Sequence, residues 1–145
     1  MYKRILIPTD GSTLSDSAVR HGVALAKSIG AAVTALTVSP KFHTFALDPN
    51  AVADTAASYE QHCNERATRY LGFAEQMARA AGVPYKGLHV IDDHPYLAII
   101  DTAKGEGCDL ILMASHGRKG VSALVLGSET TKVLTHTTIP TLVCR

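Results

Sequence analysis

The chain has 145 residues, of which 46% are hydrophobic and 19% are charged, and its formal net charge at pH 7 is +1. This length predicts one domain, 1–145, and the composition is typical of a soluble globular protein. The absence of a long basic run argues against a nucleic-acid partner. No apolar run approaches the ~20 residues that cross a bilayer, and the N-terminal apolar stretch is too short for a signal peptide. We therefore expect a cytoplasmic protein with no membrane partner.

The first half of the chain alternates strand and helix patterns. Tyr2–Ile7 is a strand candidate that ends in the turn sequence 8–12, whose hydroxyl side chains can cap a helix. Apolar residues then recur at helical spacing as far as Gly30, which is a typical residue at a helix C-terminus. Ala31–Val38 is rich in β-branched residues and predicts a second strand. Residues 41–50 suggest a loop with some apolar anchoring.

The second half continues the alternation. A helix is predicted from about Ala51 or Asp54 to Ala81. It is followed by a strand at Tyr85–Ile91, a helix from about Pro95 to Lys104, a strand at 109–114, a helix from about Ser128 to His136 and a strand at Ile139–Cys144. Because helices separate the strands, the strands must pair in parallel with right-handed crossovers. The pattern predicts an α/β fold with a doubly wound parallel sheet and helices on both faces.

Three loops should emerge at the carboxyl edge of this sheet, where open α/β sheets bind ligands. They are Pro8–Ser12, Val38–Pro40 and Ala114–Ser128. The last loop carries Gly117 and Gly127, and glycine lets a backbone approach a phosphate closely. The free N–H groups of the following helix N-terminus add donors and partial positive charge. The loop therefore predicts a nucleotide-phosphate site, and the alternative is a turn that only connects a strand to a helix.

Over its whole length the chain resembles the universal stress protein family. The resemblance rests on Ile5–Ser12, Leu36–Val38, Met113–Gly117, Gly127–Ser128 and Ile139–Val143. It implies a five-stranded sheet of order 3-2-1-4-5, as in adenine nucleotide alpha hydrolase-like folds. It also implies a homodimer in which the terminal strand, 139–144, pairs with its copy across a two-fold axis. A monomer with a covered sheet edge is the alternative.

Family members that bind ATP carry the motif Gly-x2-Gly-x9-Gly-Ser or Gly-x2-Gly-x9-Gly-Thr. In this sequence the second glycine is Gly117, the spacer is Arg118–Leu126 and the closing pair is Gly127–Ser128, but Ala114 stands at the first glycine. Alanine costs on the order of 1 kcal/mol or more where a positive φ is required, and it is harmless where a strand ends in β geometry. The motif implies an adenine nucleotide, ATP with or without Mg²⁺, as the ligand.

The resemblance gives each matching residue a role. Asp10 would accept hydrogen bonds from the nucleoside, although a turn or helix-cap role is the alternative for an aspartate after a strand. Pro8 and Thr9 would line the base pocket, and Val38 would meet adenine through its backbone. The remaining matches would hold ribose or phosphate: Met113, Ala114, His116, Gly117, Arg118 or Lys119, Gly127, Ser128 and Glu129.

Several titratable residues leave alternatives open. His116 could touch ribose or phosphate, or it could be a turn residue only. Glu129 favours the helix dipole from the first turn of its helix, yet its charge would slightly weaken an anion site. A metal site is not favoured for the cluster of His89, Asp92, Asp93 and His94, because Asp-His-Pro is ordinary helix-start chemistry.

Three functions remain open from the sequence. The first is an ATP-binding, nucleotide-responsive stress regulator without fast turnover, because no catalytic constellation and no Walker lysine is present. The second is a dimeric interaction module that holds no nucleotide, which Ala114 favours. The third is a slow ATPase or autophosphorylating protein, for which Ser128, Thr130 and Thr131 are acceptor candidates.

Overall fold

The computed structural model describes residues 1–43, 55–118 and 125–145. Its elements are β1 (Arg4–Pro8), α1 (Thr13–Ile29), β2 (Ala32–Ser39), α2 (Ala56–Ala81), β3 (Tyr85–Ile91), α3 (Pro95–Gly105), β4 (Leu110–Ala114), α4 (Ser128–His136) and β5 (Thr141–Cys144). The strands form one parallel sheet in the order β3-β2-β1-β4-β5. The predicted α/β class, the parallel pairing and the strand order are confirmed.

The sheet separates two hydrophobic cores, because successive residues of a strand face opposite sides. In β1, Ile5 and Ile7 belong to the core shared with α1 and α2, while Leu6 belongs to the core shared with α3 and α4. All three side chains are fully buried, and β4 is buried along its whole length. Burial on both faces explains why the central strands are continuous apolar runs in the sequence.

Capping side chains and left-handed glycines set the bounds of α1 and α2. The hydroxyls of Ser12 and Thr55 each accept a hydrogen bond from a backbone N–H three residues later, at 3.2 Å. Gly30 and Gly82 end the two helices with φ of 69° and 70°, a conformation that glycine adopts without steric cost. The earlier start that the sequence predicts for α2, and most of the predicted loop before it, fall on 44–54, outside the described residues.

Two strands begin two residues later than the sequence predicts. Strand β1 starts at Arg4 rather than Tyr2, and β5 starts at Thr141 rather than Ile139. In β5 the physical reason is Pro140, which has no N–H to donate to a ladder. Its carbonyl still accepts a hydrogen bond from the N–H of Ile111 at 2.9 Å. No helix in the described ranges is long and apolar enough to cross a membrane.

Asp109 ties together the starts of the two central strands. Its carboxylate accepts hydrogen bonds from the backbone N–H groups of Lys3 and Arg4, at 2.9 to 3.0 Å. Burial raises the pKa of Asp109, but the hydrogen bonds from Arg4 and Lys3 outweigh it, and the pKa lies below its ordinary value. The charged form of Asp109 therefore stabilises the amino edge of the sheet.

We expect Asp109→Ala to lower the free energy of unfolding at neutral pH by about 1 kcal/mol, because exposed backbone donors lose a charged acceptor. A depressed carboxylate pKa stabilises the folded state above the unfolded-state pKa, and this contribution is lost as the pH falls through the folded-state value. The difference from wild type should therefore shrink below about pH 4 in urea denaturation experiments. Asp101→Ala, on the exposed face of α3, is the control. A difference that is the same at all pH values would contradict this role.

Candidate functional site

The candidate site lies where the order of the sheet reverses. From β1 the chain runs to β2 and β3 on one side, then crosses to β4 and β5 on the other side. The helices that follow β1 and β4 pack on opposite faces of the sheet, so a crevice is expected between the loops outside the carboxyl ends of these strands. Ligands of open α/β sheets bind at such a switch point.

Hydrogen bonds close the base of the loop that follows β4. The N–H of Gly127 donates to the carbonyl of Ser115 at 2.8 Å. The buried hydroxyl of Thr130 donates to the carbonyl oxygens of Ala114 and Ser115, at 3.0 and 3.3 Å. A Cβ added at Gly127 would lie 3.1 Å from the Ser115 oxygen and 3.3 Å from the Cα of His116. The glycine therefore lets the start of α4 lie directly against the end of β4.

In the part of the chain that the structure describes, no side chain caps the N-terminus of α4. Gly127 occupies the N-cap position with extended backbone, and no side chain there accepts from the first turn. The free N–H groups of a first helical turn need an acceptor, and they carry partial positive charge. This end of α4 is therefore suited to an anion.

Glu129 directs its carboxylate to another helix. One oxygen accepts from the backbone N–H of Tyr96, in the first turn of α3, at 3.0 Å, and the other lies 3.4 Å from the Nζ of Lys132. His94, the N-cap residue of α3, provides no side-chain cap of its own. Glu129 therefore caps α3 from a distance, and its charge is engaged there.

Asp10 links the β1 loop to the β4 loop. One carboxylate oxygen accepts from the N–H of Ser12 and the other from the N–H of Arg118, both at 3.0 Å. Burial raises the pKa of Asp10, but hydrogen bonds from Ser12, Ser15 and Arg118 outweigh it, and the pKa lies below its ordinary value. Asp10 is thus a charged turn residue that also fixes the distance between the two loops. Contact with a nucleoside stays a prediction.

Gly117 brings the β4 loop against this carboxylate. A Cβ added at Gly117 would lie 2.8 Å from the Oδ2 of Asp10. A side chain at this position would displace the Asp10 carboxylate that accepts from Arg118, so the second glycine of the motif has a steric reason here. Lys119, the other cation that the sequence offered for a phosphate, lies outside the described residues, as does Gly120.

Ala114, at the first glycine of the motif, is the last residue of β4. No described residue other than glycine has a positive φ, so Ala114 ends the strand in extended geometry. Its side chain is 8% exposed and belongs to the core on the α1 and α2 side. The departure from the motif therefore introduces no backbone strain, which removes the reason that favoured a protein without nucleotide.

Val38 presents its backbone on the side where β1 has ended. The carbonyl of Leu36 accepts from the N–H of Thr9 on the β1 side, at 2.8 Å, while the carbonyl of Ser39 accepts from Asp92 on the β3 side, at 2.9 Å. Because backbone groups alternate along a strand, the N–H and C=O of Val38 face the β1 side. They lie beyond Leu36, the partner of the last β1 residue.

His116 is nearly buried, with 9% of its surface exposed. Its Nδ1 lies 2.9 Å from the hydroxyl of Ser115. Its Nε2 is buried and has no hydrogen-bond partner within the described part of the chain. A buried polar atom left unpaired costs about 1–3 kcal/mol, so a ligand oxygen at this position would be stabilising. The orphaned nitrogen favours a ligand contact over a turn role.

Arg118 packs against α2. Its Nε donates to the carbonyl of Asp10 at 2.9 Å, one terminal nitrogen hydrogen-bonds the hydroxyl of Tyr70, and its guanidinium carbon lies 5.2 Å from the centre of the Tyr70 ring. The sequence did not identify Tyr70 as a site residue, because it lies on the core-facing stripe of α2. The one signal available in the sequence was the polar hydroxyl of this tyrosine on an otherwise apolar stripe of the helix.

The other predicted site residues lie at or beside the carboxyl ends of β1 and β4, or at the start of α4. Pro8 is half-buried at the end of β1, and Thr9 is buried, with its carbonyl accepting from the hydroxyl of Thr37 at 3.0 Å. Met113 is 6% exposed and belongs to the core on the α3 and α4 side. Ser128 is exposed at the start of α4. The structure thus brings loops β1 and β4 into contact, while the predicted ribose contact of Met113 stays a prediction.

The acidic and histidine residues near β3 make pairs rather than a larger cluster. Asp93 accepts from the backbone N–H of Lys41 and lies 2.9 Å from the Nε2 of His43. His89 lies 2.8 Å from the hydroxyl of Ser39. In the ranges that the structure describes, no group of three or more His, Cys, Asp or Glu is arranged to hold a metal ion.

A family model for universal stress proteins matches residues 1–145. The chain belongs to the universal stress protein family. It is 30% identical over 157 residues to one universal stress protein of Methanocaldococcus jannaschii, covering 100% of this chain and 96% of the relative, and 29% identical over 148 residues to another, covering 100% and 83%. A universal stress protein of Thermus aquaticus is 28% identical over 145 residues, the full length of both chains.

Solved universal stress proteins share the fold. The structure of the first Methanocaldococcus jannaschii relative has a TM-score of 0.81 at 28% identity and covers 99% of this chain and 95% of its own. Two more distant structures were solved with nucleotides. One, in complex with cAMP, has a TM-score of 0.72 at 20% identity and covers 99% of this chain and 97% of its own. The other, from Archaeoglobus fulgidus in complex with dAMP, has a TM-score of 0.71 at 16% identity and covers 99% of this chain and 98% of its own. At these identities they establish the shared fold alone.

We expect Thr130→Val to lower the free energy of unfolding by about 1–2 kcal/mol, because the buried carbonyl of Ala114 loses the donor that closes the loop. Thr130→Ser keeps the hydroxyl and should retain most of the stability. Urea denaturation of both variants, compared with wild type, measures the difference. Equal stability of the valine and serine variants would contradict the closing role of this hydroxyl.

Proposed function

We propose that this universal stress protein binds ATP in the crevice between β1 and β4 and acts as a nucleotide-responsive stress regulator. The observation that carries the proposal is the close approach at Gly127, which places the uncapped N-terminus of α4 against the end of β4. The N–H groups of Ser128 and Glu129 would hold the phosphates there, with the hydroxyl of Ser128 as a further donor. The backbone of Gly117 would meet the same phosphates from the other end of the loop.

The nucleoside half of the ligand would lie on the β1 and β2 side. The backbone N–H and C=O of Val38 have the donor and acceptor that the edge of adenine requires, and they face the space beyond β1. Pro8 and Thr9 end β1 beside that space and would line the base pocket. The buried Nε2 of His116 would meet a ribose hydroxyl or a phosphate oxygen, which would satisfy it.

Nucleotide complexes of the fold support an adenine ligand in general terms. The two distant universal stress proteins hold cAMP and dAMP, so the shared scaffold accommodates adenine nucleotides. Because their sequence identity to this chain is low, this support does not extend to the roles of individual residues. The choice of ATP in this chain rests on the glycine spacing of its loop and on the free N-terminus of α4.

The site favours binding over fast phosphoryl transfer. Both carboxylate oxygens of Asp10 accept internal hydrogen bonds, and Thr130 is 3% exposed with its hydroxyl engaged. Neither group is presented as a free base or a free acceptor. ATP would act by stabilising one conformation over another through its differential affinity.

We expect ATP with Mg²⁺ at ~100 times its dissociation constant to stabilise the wild-type protein by ~2.7 kcal/mol in thermal unfolding. Gly127→Val should abolish this gain, because its side chain would meet the Ser115 oxygen and the His116 Cα. Gly72→Val is the matched control, since an added Cβ there meets nothing within 4 Å. Circular dichroism verifies the fold of both variants. Normal ATP binding by folded Gly127→Val would refute the phosphate assignment.

We also propose a homodimer through the terminal strand, 139–144. Strand β5 is an outer strand of the sheet, and Leu142 is 42% exposed. An exposed apolar edge is normally paired or covered. Pairing with a second copy across a two-fold axis would cover it.

Val143→Pro tests this dimer. The carbonyls of Pro140 and Cys144 accept from β4 at 2.9 and 2.8 Å, so by strand alternation the N–H of Val143 faces the outer edge. Proline there should yield a folded monomer in light scattering, because only the intermolecular ladder loses a donor. Leu142→Pro, on the β4 side, should instead destabilise the fold. A Val143→Pro protein that remains dimeric would refute pairing through β5.

A further inference from the structure

Arg118 is fixed at the start of the β4 loop by two different elements. Its Nε donates to the carbonyl of Asp10 in the β1 loop, and a terminal nitrogen hydrogen-bonds the hydroxyl of Tyr70 on α2. The guanidinium carbon lies 5.2 Å from the centre of the Tyr70 ring, within cation–π range. A long, exposed side chain would otherwise lose conformational entropy on binding a ligand. Here the hydrogen bonds to Asp10 and Tyr70 already order the side chain in the absence of a ligand.

Tyr70 also fits closely against the β1 loop. Gly11 has a φ of 73°, and a Cβ added there would overlap the Tyr70 ring. The ring therefore fills the space over Gly11 and places its hydroxyl where the guanidinium reaches it. The tyrosine has two separable parts, a ring that packs against the loop and a hydroxyl that holds Arg118.

Within the described ranges, the guanidinium of Arg118 has no carboxylate as an ion-pair partner. The Asp10 carboxylate accepts from the backbone N–H of Arg118 and not from its guanidinium. A guanidinium has five N–H donors in a fixed plane, and the described contacts use two of them. The outer edge of the fork can therefore donate to an anion.

The location is suited to a phosphate chain. The Cα of His116 would lie 3.3 Å from a Cβ at Gly127, the N-cap residue of α4. Arg118 is two residues further along, so its Cα lies within about 7.6 Å of that of His116. The backbone of Arg118 thus lies near the helix N-terminus that would hold the phosphates, while its guanidinium is held beside Tyr70 of α2.

We propose that Tyr70 is a positioning residue that presets Arg118 for the phosphate tail and so makes the site select nucleoside triphosphates over AMP and adenosine. The inference rests on the proposed function. Arg118 makes the contact, and Tyr70 acts through it. The selectivity arises because the contact depends on phosphates beyond the first one.

The test is calorimetric titration of the full chain with ATP, ADP, AMP and adenosine. Tyr70→Phe keeps the ring over Gly11 and removes only the hydroxyl, so we expect ATP affinity to fall about 3- to 10-fold. Arg118→Ala should reduce it about 10-fold or more, since a charge-assisted contact is lost. For AMP and adenosine, both variants should stay within about 2-fold of wild type. In the double variant the loss for ATP should equal that of Arg118→Ala alone, because Tyr70 acts through Arg118.

Two control variants separate this role from general effects. Tyr85→Phe removes a hydroxyl that donates to the carbonyl of Leu71 at 2.8 Å, from the opposite end of the sheet. Arg69→Ala removes a second cation, 5.8 Å from the Tyr70 ring centre. Both should bind ATP as wild type does.

Each other outcome has a definite meaning. Equal losses for ATP and adenosine, additive losses in the double variant, or tighter ATP binding by Tyr70→Phe would overturn the positioning role and leave the proposed function standing. A wild-type protein that binds none of the four ligands would refute the proposed function, and this inference with it.

Discussion

The contact between the start of α4 and the end of β4 is the constraint on which the site depends. Because Gly127 has no side chain, its N–H can donate to the carbonyl of Ser115. The hydroxyl of Thr130 donates a second hydrogen bond, to the carbonyl of Ala114. These bonds fix the two ends of the loop independently of the residues between them. The donors that face the crevice are therefore set by the sheet and the helix, which are the rigid parts of the fold.

Internal hydrogen bonds explain how two carboxylates can lie beside a proposed anion site. Asp10 accepts from two backbone N–H groups, and Glu129 accepts from the first turn of α3 and lies near Lys132. Each carboxylate is thus stabilised by donors of its own. The positive end of α4 and the Arg118 guanidinium would then be the groups that attract the proposed ligand. The directions in which the carboxylates point, which a count of charged residues does not give, decide this.

The fold, and the contact between the two loops of the candidate site, were predictable because they follow from local patterns. Strand and helix periods define five parallel strands, and the glycines of the β4 loop indicate where a phosphate can approach. Whether Ala114 is harmless depended on its φ, which a sequence does not give. Tyr70 was missed because it contacts Arg118 across 48 residues, while its own neighbours on α2 predict a core position.

The direction of Glu129 was equally hidden, since it depends on how α3 packs against α4. Its bond to Tyr96 has a mechanical consequence. Ser128 and Glu129 are adjacent in the first turn of α4, so the turn whose N–H groups would hold the phosphates is tethered to α3 through the Glu129 carboxylate. Any displacement of that turn would act on α3 and on the tilted ring contact between Tyr96 and His136, whose centres are 5.1 Å apart. If the proposed ligand displaced the first turn of α4, the effect would therefore reach the outer surface of the two helices.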